Sequence, residues 1–283
     1  MMDSILLAFT GDIVPIVGRC KLCNQQKDLK ISHAVGDSIF KKIFRTNSGK
    51  GISLTSGDEA IGYSSDSWAE RQLCLDCEKL LNIEYEQYSL GVLRGKNCQL
   101  SKTDLGLTFK ELDQQKLIMY FLSIYWRAAN SGHSAYKNVV IIDNDNEYLR
   151  SSILNNTKIP AAKFSVKVSR VIDLSDSKGF SPDSIKQIIV SPFCRVYENN
   201  KLENVSICFM FEGFFIEIYV KGLKLKDRSK YGVLNKGKEL LVVPYLNLFD
   251  IDEVFDLMVK NYGKYVEGNS KVKANKPKQS DVN

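Results

Sequence analysis

The sequence predicts an α+β protein with an N-terminal zinc module, a helical middle and a C-terminal antiparallel sheet with a closing helix. Three observations lead to this prediction. Two Cys-x-x-Cys pairs lie near the start of the chain. Hydrophobic residues then recur at helical spacing, and beyond residue 163 they alternate with polar residues, which is typical of strands. The chain has 283 residues, enough for one large domain or two smaller ones.

The two cysteine pairs are Cys20/Cys23 and Cys74/Cys77. Two intervening residues let each pair place both sulfurs on one metal, and four thiolates complete a tetrahedral zinc. Such a site is structural, because no position is left for a water or a substrate. A redox pair or buried apolar thiols are the alternatives, but neither explains two identical spacings.

Composition is that of a globular protein, with 44% hydrophobic and 25% charged residues and a formal net charge of +6. This mild positive charge is compatible with a polyanion but does not identify one. The remaining cysteines, Cys98, Cys194 and Cys208, follow no pattern, so we expect a reducing compartment. The apolar start of the chain lacks a basic region and is interrupted by Pro15, unlike a signal peptide. We therefore expect a soluble, cytoplasmic protein with no membrane partner.

The first region, residues 1–95, is predicted to fold around the zinc. A short strand and turn lead into the first cysteine pair, and a second strand ends at His33. A short helix begins at Asp37 or Ser38. The Gly- and Ser-rich residues 50–67 are predicted to be a loop or a weak hairpin, and residues 68–73 a strand that leads to Cys74. A helix over residues 76–88 then carries the second pair, which completes a treble-clef arrangement.

The helical region, residues 96–160, begins in a linker-like stretch over residues 91–108. A helix follows over residues 109–129, apolar over most of its surface and hence buried on several sides. Residues 139–142 are predicted to form a strand. Asp143 or Asp145 caps the next helix, which runs to residue 154.

The sheet domain, residues 161–266, has strands from residue 163 and over 188–197, where Pro192 indicates an edge or a bulge. A hairpin turns at Glu212-Gly213, and residues 240–243 form another strand. A final helix begins at Asp250, with Glu253 in a capping box and Gly263 at its end. Its predicted buried residues are Val254, Phe255, Leu257, Met258 and Tyr262. Residues 267–283 are predicted to be a disordered basic tail.

His33 is the candidate catalytic residue of the zinc module. Ser32-His33-Ala34-Val35-Gly36 lies between the cysteine pairs, and Leu73-Cys74-Leu75-Asp76-Cys77-Glu78 carries the second pair. Over residues 18–90 this arrangement resembles the HNH nuclease superfamily, in which an Asp-His-x-x-Pro segment stands between two such pairs. Ser32 replaces the aspartate, Gly36 replaces the proline, and no second histidine follows in the helix.

The resemblance implies phosphodiester hydrolysis, with His33 as the general base and a separate Mg or Mn ion. Glu78 or Asn82 would stand in as ligands of that ion. The alternatives are a packed His33 in the hairpin or a fifth candidate zinc ligand. The chain also resembles a group of largely uncharacterised bacterial proteins that share the cysteine pairs, a Ser-His pair and a later Trp-Arg pair, here Trp126-Arg127. For Arg127 the choice is between a cleft position and a helix-capping or ion-pairing role.

Two basic clusters are candidates for nucleic-acid binding. The first is on the helix after His33, and the second is a predicted strand face within residues 221–238. Their residues are Lys41, Lys42, Arg45, Lys224, Lys226, Arg228 and Lys230. A solvated hairpin also explains the second cluster, and a groove shared by both clusters would favour nucleic acid. The function expected from the sequence is a zinc-binding, HNH-like protein that acts on DNA or RNA as an endonuclease. The alternative is a non-catalytic scaffold that recruits a protein or nucleic-acid partner.

Overall fold

The computed structural model describes residues 15–272, apart from 47, 55–57, 59, 177–178 and 200–201. Most of the strand and turn predicted over residues 5–17, and the tail beyond residue 272, lie outside the described residues. The strands are β1 Val17–Arg19, β2 Gln26–His33, β3 Gly51–Ser53, β4 Gly62–Ser64, β5 Ala69–Cys74, β6 Gln99–Thr103, β7 Gly106–Lys110, β8 Ser165–Ile172, β9 Val190–Asn199, β10 Leu202–Phe211, β11 Phe214–Tyr219 and β12 Leu240–Asn247. The α-helices are α1 Asp37–Thr46, α2 Leu75–Leu81, α3 Gln87–Leu93, α4 Gln114–Ala129, α5 Asp143–Leu154, α6 Pro182–Lys186 and α7 Asp252–Val266.

The N-terminal part is built on a three-stranded antiparallel sheet in the order β1-β2-β5. The turn between β1 and β2 carries the first cysteine pair, and β5 leads directly into α2. The helix that starts there continues through a π turn, Asn82–Glu86, into α3. The predicted weak hairpin is present as the two-stranded β3-β4 pair.

The larger sheet has seven strands in the order β6-β7-β12-β8-β11-β10-β9. Every neighbouring pair is antiparallel except β12 and β8, which run parallel. The predicted mixed α+β class with a large, mainly antiparallel C-terminal sheet is therefore confirmed. Pro192 lies in β9, an edge strand, where it does not remove a hydrogen bond from the sheet interior.

Both faces of this sheet are covered by helices. Residues of β10 alternate between two hydrophobic cores: Phe209 and Phe211 face α4, whereas Cys208 and Met210 face the other side. All residues of α4 from Leu117 to Ala128 are buried, as predicted for this helix. The core beneath α4 is continuous with the one around the cysteine pairs.

A buried carboxylate joins the N-terminal part, which carries the cysteine pairs, to the large sheet. Glu212 and Gly213 form the two-residue turn between β10 and β11, both with positive φ, as a type I′ hairpin requires. The Glu212 carboxylate accepts hydrogen bonds from Lys42 of α1 and from Arg94 after α3, each at 2.8 Å. Arg170 of β8 donates to the Glu212 main-chain oxygen at 2.8 Å.

Several predicted elements differ from the structure. The linker at 91–108 instead contains most of the β6–β7 hairpin, and β7 pairs with β12, so the sheet recruits strands from the predicted helical region. The helix predicted from residue 109 begins at Gln114, because Asp113 accepts hydrogen bonds from the main-chain N–H groups of Gln115 and Lys116 and caps it. Residues 139–142 pair with no strand of the described part of the chain.

The final helix begins two residues later than predicted and passes through Gly263 to Val266. Ile251 stands at its start and makes no side-chain cap, so the capping box does not form. Phe255 is 43% and Tyr262 69% exposed, so these two residues are not buried as predicted.

The first part of the predicted tail is ordered. Asn269 accepts a hydrogen bond from the main-chain N–H of Ile61, and Lys271 donates one to Ile61. Residues 269–271 thus lie beside β4. No helix in the described residues combines the length and the apolarity needed to cross a membrane.

Candidate metal centre and histidine pocket

The four paired cysteines come together at one end of the β2–β5 pair. Cys20 and Cys23 lie in the turn between β1 and β2, Cys74 ends β5 and Cys77 lies in the first turn of α2. The pairing of Leu29 with Cys74 brings the end of β5 next to that turn. All four sulfur atoms lie within 4.8 Å of one another.

This spacing fits a tetrahedral metal. Zinc–sulfur bonds of about 2.3 Å require sulfur–sulfur distances of about 3.8 Å, and Cys23 Sγ lies 3.9 Å from Cys74 Sγ. Three of the four cysteines are buried and the fourth is half-buried, so little room is left for an additional ligand. The cluster is therefore a candidate site for a metal such as zinc.

The local backbone stabilises negative charge at one end of the cluster. The main-chain N–H of Cys74 donates to Cys20 Sγ at 3.3 Å. Burial alone would raise the pKa of Cys20, but hydrogen bonds from the main chain of Cys23, Cys74 and Leu22 lower it to about 7. Burial and the neighbouring thiolates raise the pKa of Cys77. A bound cation would offset this repulsion between sulfurs.

His33 ends β2 and is half-buried, with its side chain 18% exposed. Its Nε2 lies 3.0 Å from Ser67 Oγ and 3.8 Å from Asp37 Oδ1. Burial is the main cause that lowers the pKa of His33; Arg127 and Lys41 lower it further, while Asp37 and Glu78 oppose them. His33 therefore has charged neighbours on three different helices, α1, α2 and α4, unlike a histidine packed against the main chain alone.

Glu78 lies beside this pocket, whereas Asn82 does not. Ser32, buried to 1% exposure, donates a hydrogen bond from Oγ to Glu78 Oε1 and so joins β2 to α2. Asn82, one turn later, is exposed. Of the two ligands suggested for a catalytic ion, only Glu78 is close to His33.

Glu86 is a pocket residue that sequence reasoning missed. It ends the π turn, in which main-chain hydrogen bonds are of the wider i→i+5 type. Its carboxyl group packs against Gly36, in the segment between His33 and α1. Burial raises the pKa of Glu86, Glu78 and Asp37 add to the rise, and Arg127 and Arg94 oppose it.

Arg127 approaches the same pocket from α4. It is buried to 3% exposure, and Tyr120, two turns earlier on the helix, is fully buried. Its guanidinium acts electrostatically on His33, Glu86, Tyr120 and Tyr136. Trp126 packs in the core as predicted. Arg127 does not cap α4, and its Nε and Nη2 have no hydrogen-bond partner among the described residues.

The cysteine cluster is the one group in the described residues that brings three or more metal-binding atoms within 4.8 Å. The histidine pocket therefore does not contain a preassembled cation site, although it brings metal-binding side chains near one another: His33, Asp37, Glu78 and Glu86. Mg²⁺ is commonly held by one or two carboxylates together with substrate phosphates and water, which does not require a complete protein cage.

The two basic clusters do not form one groove. Lys42 contacts Glu212, just before β11, whereas the second cluster follows the other end of that strand, about 20 Å away. The predicted strand face at 221–238 is absent; the segment is a loop with one 3₁₀ turn, Leu225–Asp227. Lys41 pairs with Asp37, Lys230 pairs with Asp227, and Arg228 donates to the Leu223 main chain. The remaining predicted basic residues, Arg45, Lys224 and Lys226, lie on the surface or partly so.

Two acidic residues in the first half of α5 form ion pairs. Asp145 pairs with Lys163 at 2.7 Å, and Glu147 pairs with Arg150.

No protein-family profile, curated protein or solved structure matches this chain.

Proposed function

We propose that this chain is a zinc-stabilised protein that acts on nucleic acid as a metal-dependent endonuclease, with His33 as its general base. The observation that carries the proposal is the environment of His33. A half-buried imidazole with Asp37 at 3.8 Å, and within electrostatic reach of Glu78 and Arg127, is suited to proton transfer.

The order of elements around the cysteines supports a treble-clef module as the scaffold. A cysteine turn precedes β2, β5 returns antiparallel to it, and α2 begins with the second cysteine pair. In this arrangement zinc holds one end of the β2–β5 pair, and His33 lies about four residues further along β2 than Leu29, which pairs with Cys74. The metal at the cysteines would position His33 without taking part in the reaction.

The lowered pKa of His33 keeps its imidazole neutral near neutral pH, as a base requires. Nε2 accepts a proton from a water molecule, and the hydroxide attacks phosphorus while the bond to the leaving oxygen breaks. Asp37 stabilises the imidazolium that forms. A divalent cation, held by Glu78 and substrate oxygens, would offset charge on the phosphate. The leaving oxygen takes up a proton from a water molecule, and the protonated His33 then returns its own proton to solvent.

The test is cleavage of plasmid and single-stranded DNA with added Mg²⁺ or Mn²⁺. Wild type is compared with His33→Ala and with His133→Ala, which removes the chain's other histidine. Zinc content is checked in all three proteins. We expect wild type and His133→Ala to cut, and His33→Ala to lose at least about 100-fold in rate. Equal cutting by wild type and His33→Ala would remove His33 from the mechanism.

A scaffold role is the second candidate, favoured by one observation on α7. Several apolar side chains of this helix face solvent: Phe255, Val259, Tyr262, Tyr265 and Val266. Four of them recur at spacings of four, three and four residues, which places them on one stripe. Such a stripe suits a protein partner. Absence of cleavage by zinc-loaded wild type under all these conditions would favour this role.

A further inference from the structure

Arg127 has an unfilled hydrogen-bonding edge in the protein interior. The residue lies in the last turn of α4 and is 3% exposed. Two of its nitrogens, Nε and Nη2, are buried and have no hydrogen-bond partner among the described residues. These two nitrogens form one edge of the guanidinium, whose parallel N–H groups match two oxygens of a single oxyanion.

Other arginines of this chain use the same edge to bind a carboxylate. Arg150 donates from Nε and Nη2 to the two oxygens of Glu147, and Arg195 does the same to Glu253. Arg94 directs both nitrogens to Glu212. Those edges are filled by the protein itself, whereas no described residue fills the edge of Arg127, which is more deeply buried.

An unpaired buried guanidinium is costly to keep. Leaving a buried charge without its hydrogen bonds destabilises a fold by several kcal/mol, and native structures seldom contain such groups without a reason. A methionine would fill the same space without that cost. The arrangement is expected where a ligand supplies the missing oxygens.

A second unpartnered group lies on the same face of α4. Tyr120 precedes Arg127 by seven residues, or two turns, and an arginine side chain on a helix extends back toward the N-terminus. The Tyr120 hydroxyl is fully buried and has no hydrogen-bond partner among the described residues. The guanidinium acts on Tyr120, so the two groups share one environment.

We propose that Arg127 and Tyr120 bind a phosphoryl group, with two of its oxygens on the Nε/Nη2 edge of Arg127 and a hydrogen bond from the Tyr120 hydroxyl. The proposal rests on the proposed function in one respect, because it takes the phosphoryl group to be the phosphodiester attacked beside His33. The orphaned edge itself is independent of any catalysis.

The carboxylates around Arg127 favour phosphate over a carboxylate ligand. Glu86 interacts electrostatically with both Arg127 and Glu78, and carboxylates are ligands that a hard divalent cation prefers. A carboxylate ligand has only two oxygens, and both would be hydrogen-bonded to the arginine. A phosphoryl group has further oxygens and can contact both.

The experiment measures thermal unfolding of the zinc-loaded full chain with inorganic phosphate, with and without Mg²⁺. Sodium acetate and sodium chloride at equal ionic strength are the comparison salts. The proteins are wild type, Arg127→Met, Arg127→Lys, Tyr120→Phe and His33→Ala. Arg150→Met is the matched control, since the edge of that arginine is already filled by Glu147.

Without phosphate, we expect Arg127→Met to melt at least about 2 °C above wild type, because an unpaired charge is removed. Phosphate in tenfold excess over its dissociation constant should raise the Tm of wild type and of Arg150→Met by about 3 °C. The rise should vanish in Arg127→Met and shrink in Tyr120→Phe and Arg127→Lys. Acetate should give no rise.

Three outcomes would overturn the proposal: no phosphate effect on wild type, an equal effect on Arg127→Met, or an equal effect of acetate. If Arg127→Met fails to fold, the proposal is tested by the rise in Tm that phosphate gives in wild type and by its decrease in Tyr120→Phe. His33→Ala separates this inference from the proposed function. Arg127-dependent phosphate binding without cleavage by any protein would leave the binding site standing and reject the nuclease.

Discussion

Gly36 leaves the space that the Glu86 carboxyl group occupies: a Cβ atom on Gly36 would lie 2.7 Å from Cδ of Glu86. A side chain at residue 36 would therefore displace the Glu86 carboxyl group from the segment between His33 and α1. Gly36 stands where the HNH nucleases, which the sequence resembles, carry proline.

Gly36→Ala should impair the pocket without unfolding the protein. The clash involves the end of a flexible side chain, so we expect the free energy of unfolding to change by less than about 1 kcal/mol. Displacing Glu86 should reduce cleavage by about tenfold or more. Tm and cleavage rate are measured together, with Gly263→Ala as the control, because a Cβ on Gly263 meets open space. Unchanged cleavage would separate Glu86 from the activity.

Removing one cysteine ligand should abolish metal binding. We expect one zinc per chain in wild type and none in Cys74→Ser, measured by elemental analysis. The N-terminal module should then unfold, because metal binding supplies about 10 kcal/mol or more of its folding free energy. Cys98→Ser, outside the cluster, should keep both zinc and stability. A zinc-free Cys74→Ser protein with wild-type stability would reject a structural metal.

His33 should make the stability of the fold sensitive to mild acid. Its pKa is lowered in the folded state, so the unfolded chain binds the proton more readily. The contribution of His33 to the free energy of unfolding is complete above its pKa in the unfolded chain, about 6.5. It is lost as pH falls toward the lower pKa of His33 in the folded protein. The loss between pH 8 and pH 5 should be smaller in His33→Gln, measured by urea unfolding. Cleavage by wild type should rise with pH through the lowered pKa; a fall would contradict a basic role.

Glu212 should contribute more to stability than exposed carboxylates do. Its side chain is 5% exposed and pairs with Lys42 and Arg94, so Glu212→Ala should cost about 3 kcal/mol. Although burial raises it, the two cations hold the pKa of Glu212 below its usual range. The contribution of Glu212 to stability is therefore present above its pKa in the unfolded chain, about 4.5. It is lost as pH falls through the lower pKa of Glu212 in the folded protein. Urea unfolding at several pH values tests this, with Glu239→Ala, at an exposed site, as the control. Equal effects of the two substitutions would show that the ion pairs of Glu212 with Lys42 and Arg94 do not stabilise the fold.

The sequence predicted the cysteine cluster correctly because metal geometry is local. Two intervening residues determine how each pair can face a metal, so spacing alone identified Cys20, Cys23, Cys74 and Cys77. The nearness of Glu78 to His33 also followed from local order, since α2 starts where β5 ends. Whether these residues bind zinc or cleave nucleic acid stays a prediction.

Glu86 and Tyr120 were missed for physical reasons. A π turn does not follow the 3.6-residue period, so helical periodicity does not identify Glu86; Asn82, which the HNH resemblance suggested, is exposed. Tyr120 lies in a helix that is buried on all sides, where a polar atom without a partner becomes visible only in the folded structure. Arg127 was singled out from the sequence, but its empty edge was not predictable.

Two errors in strand prediction arose where tertiary packing, and not the hydrophobic pattern of the sequence, determines the structure. All residues of β6 are exposed and give no alternation, so its pairing with β7 could not be read from the sequence. Leu223 and Leu225 alternate with lysines, which suggested a strand, yet Leu225 is 80% exposed in a loop. Alternation predicts a strand only when one face has something to cover it.

The position of β12 has a consequence for how the protein is made. This strand follows the other six strands of the large sheet in sequence, yet it lies third in the sheet, between β7 and β8. During synthesis at about 5–20 residues per second, the β6–β7 hairpin and the β8–β11 group must wait several seconds with unpaired inner edges. Translation speed across residues 172–247, and any chaperone that shields those edges, would then influence the yield of native protein.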